Sequence, residues 1–236
     1  MGDLMHTGCL GVVGYALGSA LHEIVFGGTL DKSPAKSLDA IWEMIQAEYV
    51  SSNTQHRLTS LTFGMFYHGS AEWADLSCRA AEARALVPVV KRILQVLHDG
   101  SDHAEHRLRA IASLETSYDI VMGADMCFLT TLESDRLLKS VEAHLLHVNW
   151  LLQRSQEAGV LRWPLMVKHH MLWHIAHNSR WLSPRAVWCY AFESSIGDLV
   201  TSAKACLASS GMHIVGTKTL ENFMVVLQVS LRTRNH

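Results

Sequence analysis

The leucine-rich segment at residues 133–158 constrains the fold more than any other part of the sequence. Its apolar side chains recur at intervals of three and four residues, which places them on one face of an α-helix. They are Leu137, Leu138, Val141, Leu145, Val148, Leu151 and Leu152. Thr130 or Thr131 is positioned to cap the start of this helix, and Gly159 to end it. We predict that this helix is the longest in the protein and that its apolar face packs against other elements.

Helical patterns also cover most of the remaining sequence, and no segment alternates as a half-buried strand does. The other predicted helices are 8–26, 37–50, one from Asp75 or Ser77 to 97, 102–122, one starting at Pro164, one ending near 209, and 217–231. Residues 57–67 predict short irregular structure. The fold class is therefore mainly α: a multi-helix globular bundle, with residues 1–236 forming a single domain.

Proline and glycine residues mark special points in these helices. Pro88 lies inside the helix that ends at residue 97 and is expected to kink or split it. Gly11, Gly14 and Gly18 lower the intrinsic stability of the first helix but permit close packing against a neighbour. Ser183-Pro184 ends the helix that starts at Pro164, because a residue before proline avoids the α conformation.

Composition limits the classes of function. The chain has 236 residues, of which 49% are hydrophobic, and its net charge is −2. Free-standing nucleic-acid-binding proteins are usually basic, so we expect weak or no DNA binding by the chain alone. The cysteine count of five is odd and the cysteines are scattered, which indicates reduced thiols in an intracellular protein of the nucleus or cytoplasm. The apolar run at residues 7–21 is too short and glycine-rich to predict a membrane span.

The segment at residues 163–193 contains more side chains capable of chemistry, set among more apolar residues, than any other segment. It contains four of the fifteen histidines. His170, His174 and His177 lie at i, i+4 and i+7 on the predicted helix, and two histidines four residues apart can bind one metal ion. The functional interpretation is a metal-binding or proton-transfer site. The alternative is a helix whose histidines are partly buried and hydrogen-bonded to neighbours, since no HExxH glutamate or nearby CxxC completes a ligand set.

Glu193 follows a short aromatic segment and opens the next helical pattern. An acid in the first turn of a helix is stabilised by the helix dipole, which is the structural explanation of its position. The functional explanation is a catalytic carboxylate held at a helix start behind aromatic side chains.

Residues 3–6, 80–88 and 168–193 contain three motifs that resemble those of CACTA-type cut-and-paste DNA transposases and their domesticated relatives. Asp3-x-x-His6, before a glycine-rich apolar helix, resembles the family's Asp/Cys-x-x-His element. Residues 80–88, AAEARALVP, resemble "K-x-x-E-x-R-x-L-L-P". Residues 168–174, KHHMLWH, followed by a proline turn and Phe192-Glu193, resemble "K-x-H-x-L-x-H … G-P … F-E". The three occur in the order of the family and span most of the chain.

The resemblance implies a relation to RNase H-like nucleases, which bind divalent metal ions such as Mg²⁺ with three acidic residues. It assigns the third acid to Glu193, with Glu82 as the second choice, and supporting roles to Asp3, His6 and His170. It further implies that residues 1–28 and 163–236 derive from an incomplete nuclease core, with residues 37–158 as a helical insertion. It also implies that the first two acids lie upstream of the Asp-x-x-His element, where this sequence begins.

One carboxylate does not hold two metal ions. We therefore expect a transposase-derived fragment without nuclease activity; an active form would be a divalent-metal-dependent nuclease or polynucleotidyl transferase. The alternatives are a helical protein-interaction module, which binds a partner or itself, and a metal-binding protein or enzyme that uses the histidine-rich helix, with Zn²⁺ as the metal. The resemblance also predicts that Asp3 and His6 lie close to the His170/His174 face and to Glu193.

Overall fold

The computed structural model describes residues 3–66, 73–124, 127–189, 199–201, 203–204, 217–221 and 224. The chain divides into two compact units, Met1–Trp188 and Cys189–His236. In the second unit, the described residues from 199 onward are helical. All sites discussed below lie in the first unit.

The first unit is built from helices. A π-helical segment, Met5–Val12, runs directly into α1, and two short 3₁₀ turns lie at Phe63–Phe66 and Pro184–Val187. The six α-helices are α1 Val13–Phe26, α2 Pro34–Ser51, α3 Ala80–Val96, α4 Asp102–Gly123, α5 Thr131–Glu157 and α6 Val167–Asn178. The described residues contain no strand, and α5 is the longest helix among them. The predictions of a mainly helical fold and of its longest helix are confirmed.

The pairing of α4 with α5 is the most extensive helix contact in this unit. Val141, Val148 and Leu151 of the predicted stripe are at most 1% exposed. Polar groups share this face: the hydroxyls of Ser117 and Ser140 lie 2.8 Å apart in a hydrogen bond. The apolar stripe therefore located the buried face of α5, although the face is not purely apolar.

The continuous helix formed by the π-helical segment and α1 lies in the core. Val13, Leu17 and Leu21 are fully buried, and α1 contacts α2, α3 and α4. Met5–Phe26 is long and apolar enough to cross a membrane, but 83% of its apolar window is buried inside the protein, which is equally typical of a core helix in a soluble protein.

Helix starts show which local signals were decisive. The Thr130 hydroxyl accepts the N–H of Glu133, whose carboxylate accepts the N–H of Thr130 in return, so the predicted cap of α5 is confirmed. The helix predicted from residue 37 starts three residues earlier: α2 begins at Pro34, and the buried Ser37 hydroxyl donates to the Asp31 carbonyl. Pro88 does not split its helix, since α3 continues through it.

The start of α6 was predicted three residues too early. Pro164 does not open the helix, which begins at Val167. Trp163, directly before Pro164, has a φ of +55° and is 1% exposed. A tryptophan in this left-handed conformation needs strong tertiary support, so its burial, not local propensity, sets the chain direction at this point.

Two glycines of the first helix allow a loop to lie directly against it. The Gly14 carbonyl accepts a hydrogen bond of 3.0 Å from the N–H of Leu76. A Cβ atom at Gly18 would lie 2.7 Å from the Leu76 nitrogen and 2.9 Å from Asp75 Cα. Both neighbours are backbone atoms, so the overlap with a Cβ atom could not be relieved by rotation of a side chain. The prediction that these glycines permit close packing is confirmed.

Replacing Gly18 by alanine tests this contact. Alanine favours a helix by about 1 kcal/mol over glycine. Overpacking against backbone atoms, however, costs roughly 1–3 kcal/mol. We expect Gly18→Ala to lower the free energy of unfolding, as measured by urea denaturation. Gly123→Ala is the matched control, since no atom of the described residues lies within 4 Å of a Cβ there. If both variants were stabilised equally, the close contact would be refuted.

Candidate functional site

Trp163 attaches the histidine-rich segment to α1. Its backbone N–H donates to the Ser19 hydroxyl at 3.1 Å, and its indole N–H donates to a carboxylate oxygen of Glu23 at 2.7 Å. Both partners are buried residues of α1. Glu23 was not among the predicted site residues, although an acid inside an apolar helix was a usable signal. These bonds place α6 relative to the first helix.

The π-helical segment packs against α6. The Lys168 ammonium donates to the Leu10 carbonyl at 3.0 Å, across 158 residues of sequence. The rings of Tyr15 and His169 stack with centroids 6.1 Å apart. The segment that begins with Asp3-x-x-His6 therefore lies beside the helix that carries the predicted metal ligands. Glu193 lies outside the described residues, so its predicted approach to His6 stays a prediction.

Asp3 and His6 form a local pair at the start of the π-helical segment. The Asp3 carboxylate accepts the N–H groups of Met5 and His6 at 3.1 and 3.0 Å, and it also pairs with Nδ1 of the His6 ring. Leu4 and Met5 are buried. The described N-terminal residues are thus anchored in the fold, with Asp3 acting as a helix cap.

The three predicted metal ligands on α6 do not share one arrangement. The Nε2 atoms of His170 and His174 lie 3.0 Å apart, and both side chains are exposed. The ring of His177 instead stacks on Trp173, with centroids 5.0 Å apart. His170 and His174 could share one metal ion or one proton. Metal binding by these residues stays a prediction.

Glu82, the second choice for a catalytic acid, has a structural partner. It lies in the first turn of α3, where its carboxylate accepts the N–H of Arg79 at 2.9 Å. This bond satisfies one of the N–H groups left open at the helix start. Its catalytic role stays a prediction.

A second feature, which was not predicted from the sequence, is a pair of buried histidines. The rings of His144 and His169 are nearly parallel, with centroids 6.0 Å apart. His144 Nδ1 lies 2.9 Å from the Ala110 carbonyl and must donate to it, while His169 Nδ1 accepts the N–H of Met166. Each ring then uses its neutral form. The available signal for His144 was its position on the leucine stripe, three residues after Val141.

Burial sets the charge state of this pair. It lowers the pKa of His144 to about 3 and the pKa of His169 to about 4, because a charged ring would lose its hydration. The charge on His169 lowers the pKa of His144 further. Both rings are therefore neutral near pH 7 and are poor candidates for acid–base exchange there.

A cleft of about 420 Å³ opens at the Glu23 end of α1. Glu23 is 8% exposed and Arg107 is 7% exposed, and a guanidinium nitrogen of Arg107 lies 3.4 Å from the Glu23 carboxylate. Nε2 of His103 lies 3.5 Å from the other oxygen of that carboxylate. α1 and α4 together thus present a buried, compensated carboxylate beside an open volume.

The buried histidines predict an acid-sensitive fold. Their folded-state pKa values lie below about 6.5, the value in an unfolded chain, so the unfolded state binds more protons in acid. Their stability contribution is complete above about pH 6.5 and is lost as the pH falls towards 4 and 3. Each histidine lowers the free energy of unfolding by roughly 1.4 kcal/mol per pH unit within that window.

Thermal melting from pH 7 to pH 5 measures this effect. His144→Gln retains a donor for the Ala110 carbonyl but cannot titrate, so we expect its Tm to depend less on pH than that of the wild type. His170→Gln is the control, because His170 is exposed on a neighbouring helix. An unchanged pH dependence in His144→Gln would contradict the assignment.

Known proteins offer no template for this arrangement. No protein-family model matches the chain, and neither a characterised protein nor a solved structure matches it. The function is therefore inferred from the side-chain geometry and from the motif resemblance.

Proposed function

We propose that this chain is the helical part of a CACTA-type transposase, or of a protein derived from one, and that it has no nuclease activity by itself. The observation that carries the proposal is the packing of the Asp3-x-x-His6 segment beside α6. α2 to α5 lie between these two segments in sequence. A nuclease core interrupted by a helical insertion would require this return of the chain.

Trp163 gives this packing a second attachment. It bonds to Ser19 and Glu23 of α1, so the segment before α6 is also attached to the first helix. Leu4 and Met5 are buried, so the residues around the Asp3-x-x-His6 motif are packed into the fold. The juxtaposition therefore supports the core-plus-insertion interpretation.

The absence of nuclease activity follows from the acids that the resemblance assigns. In-line cleavage of DNA by two metal ions requires several carboxylates around the metals. The resemblance assigns one acid of the family triad, Glu193, to this sequence, at the Phe192-Glu193 position. The Asp3 carboxylate accepts hydrogen bonds from the N–H groups of Met5 and His6 and pairs with the His6 ring. It therefore caps the start of the helix.

A cleavage assay tests the activity. We expect the 236-residue chain to leave duplex DNA intact with Mg²⁺ or Mn²⁺, at the level of the Glu193→Ala variant. The measurement is product formation on a denaturing gel. Metal-dependent cleavage that Glu193→Ala abolishes would show that the chain is an active nuclease.

The DNA upstream of the coding sequence tests the origin. An in-frame continuation that encodes two further acids on strand-like segments would support a transposase relation. An upstream region encoding a different kind of domain in the same reading frame would count against it.

A second proposal is metal binding by His170 and His174. Their Nε2 atoms lie 3.0 Å apart, close to the separation of about 3.3 Å expected for two tetrahedral zinc ligands with bonds near 2.05 Å. This is the geometry that a helix gives to histidines four residues apart. The fold itself supplies the first two ligands, and water or a third side chain would complete the shell.

Zinc titration calorimetry separates this proposal from binding elsewhere. We expect His170→Gln and His174→Gln each to weaken Zn²⁺ binding by about tenfold or more, and His177→Gln to have a smaller effect because its ring stacks on Trp173. His106→Gln is the matched control, since Nδ1 of His106 lies 3.1 Å from Nδ1 of His147 in another histidine pair. Loss of binding only in His106→Gln would place the metal at that pair.

A further inference from the structure

The cleft beside Glu23 is lined by more cationic than acidic groups. It lies where the end of α1, the start of α4 and the end of α5 meet. Its charged lining residues are Glu23, Asp99, Arg107, Arg154 and Arg162, and His103 adds an ionisable ring. Three permanent positive charges thus face two carboxylates, and each of those carboxylates has donors within the protein.

The two acids are already compensated. Glu23 accepts from the Trp163 indole and lies beside Arg107 and His103. Asp99 accepts from the N–H and the hydroxyl of Ser101, at 2.9 and 2.6 Å. Both carboxylates are therefore already bonded to donor groups of the protein.

Arg107 is a buried cation with incomplete bonding. Its side chain is 9% exposed, and its contact with Glu23 uses one terminal nitrogen at a long 3.4 Å. Its Nε–H has no acceptor within the described residues. A buried donor without a partner is destabilising, so an additional anion beside this group would improve its bonding.

Arg162 is a second cation with bonding capacity left for a ligand. It lines the cleft and forms no ion pair with any acid in the part of the chain that the structure describes. Arg154 is partly engaged, because it pairs with Glu157 at 2.7 Å and lies over the Trp150 ring. Arg107 and Arg162 therefore retain the greater capacity to bind a ligand.

The start of α4 adds backbone donors to the same wall. Ser101 caps this 22-residue helix by accepting the N–H of Ala104. The amides of the first helical turn have no partner within a helix, and the helix dipole is positive at this end. Ser101, His103 and Ala104 all line the cleft, so these donors border it.

We propose that this cleft binds the phosphate group of a small organic molecule. Guanidinium groups bind phosphate through paired hydrogen bonds, and Arg162 together with the unpartnered Nε–H of Arg107 offers donors of this kind. The volume of about 420 Å³ falls within the range of small-molecule pockets. Duplex DNA is the weaker candidate, because the net charge of the chain is −2 and the site is a recess. This site is separate from the Asp3-x-x-His6 segment and does not depend on the transposase relation.

Titration with inorganic phosphate and with glycerol 3-phosphate tests the site. We expect both to bind and to raise the Tm of the full chain by linkage. Arg162→Gln should weaken binding of both by about tenfold or more, and it leaves the Glu23–Arg107 pair intact. Arg136→Gln is the matched control, because it removes the same charge from the opposite end of α5, about 27 Å from Arg154 along the helix axis. We expect wild-type affinity from this control.

Three results would overturn the proposal. One is the absence of binding of either phosphate at millimolar concentration by a folded chain. Another is equal weakening in Arg162→Gln and Arg136→Gln, which would indicate a general effect of charge. The third is binding of a single-stranded DNA oligonucleotide that Arg162→Gln weakens while neither small phosphate binds, which would assign the cleft to nucleic acid.

Discussion

The hydrogen bond from the Trp163 indole to the buried Glu23 carboxylate joins the two regions that carry most of the chemistry. A carboxylate at this depth is tolerated because Trp163, Arg107 and His103 surround it with donors and positive charge. The same tryptophan fixes the chain direction before α6 through its left-handed backbone conformation. The position of the α6 histidines therefore depends on a carboxylate of α1.

The continuous helix Met5–Phe26 connects the candidate sites. The Asp3–His6 pair lies at its start and Glu23 near its end, about 25 Å apart along the axis. Gly14 and Gly18 let the backbone at Asp75 and Leu76 lie directly on this helix. It is also the most buried of the described helices. A change in its packing would therefore alter the position of the side chains at both of its ends.

The histidines show how far sequence patterns reach. His170 and His174 were identified from their helical spacing, and their rings do meet. His177 follows one turn further along the same helix, but its ring stacks on Trp173. His144 and His169 are polar residues in the core: burial keeps both rings neutral, and their hydrogen-bond partners come from α4 and from the residue before α6. Spacing along one helix does not contain that information.

The sequence alone determined the helical class, the buried faces and the capping of α5, because these depend on the period of apolar side chains and on contacts between residues three or four apart. It also marked the Asp3-x-x-His6 and histidine-rich motifs. Tertiary structure alone decided that the motifs pack together, that α6 begins at Val167, and that Glu23, Arg107 and Arg162 line one cleft. The physical reason is that burial and hydrogen-bond partners come from residues that are distant in sequence, as with Trp163 and Glu23. The periodicity of a single segment does not identify such partners.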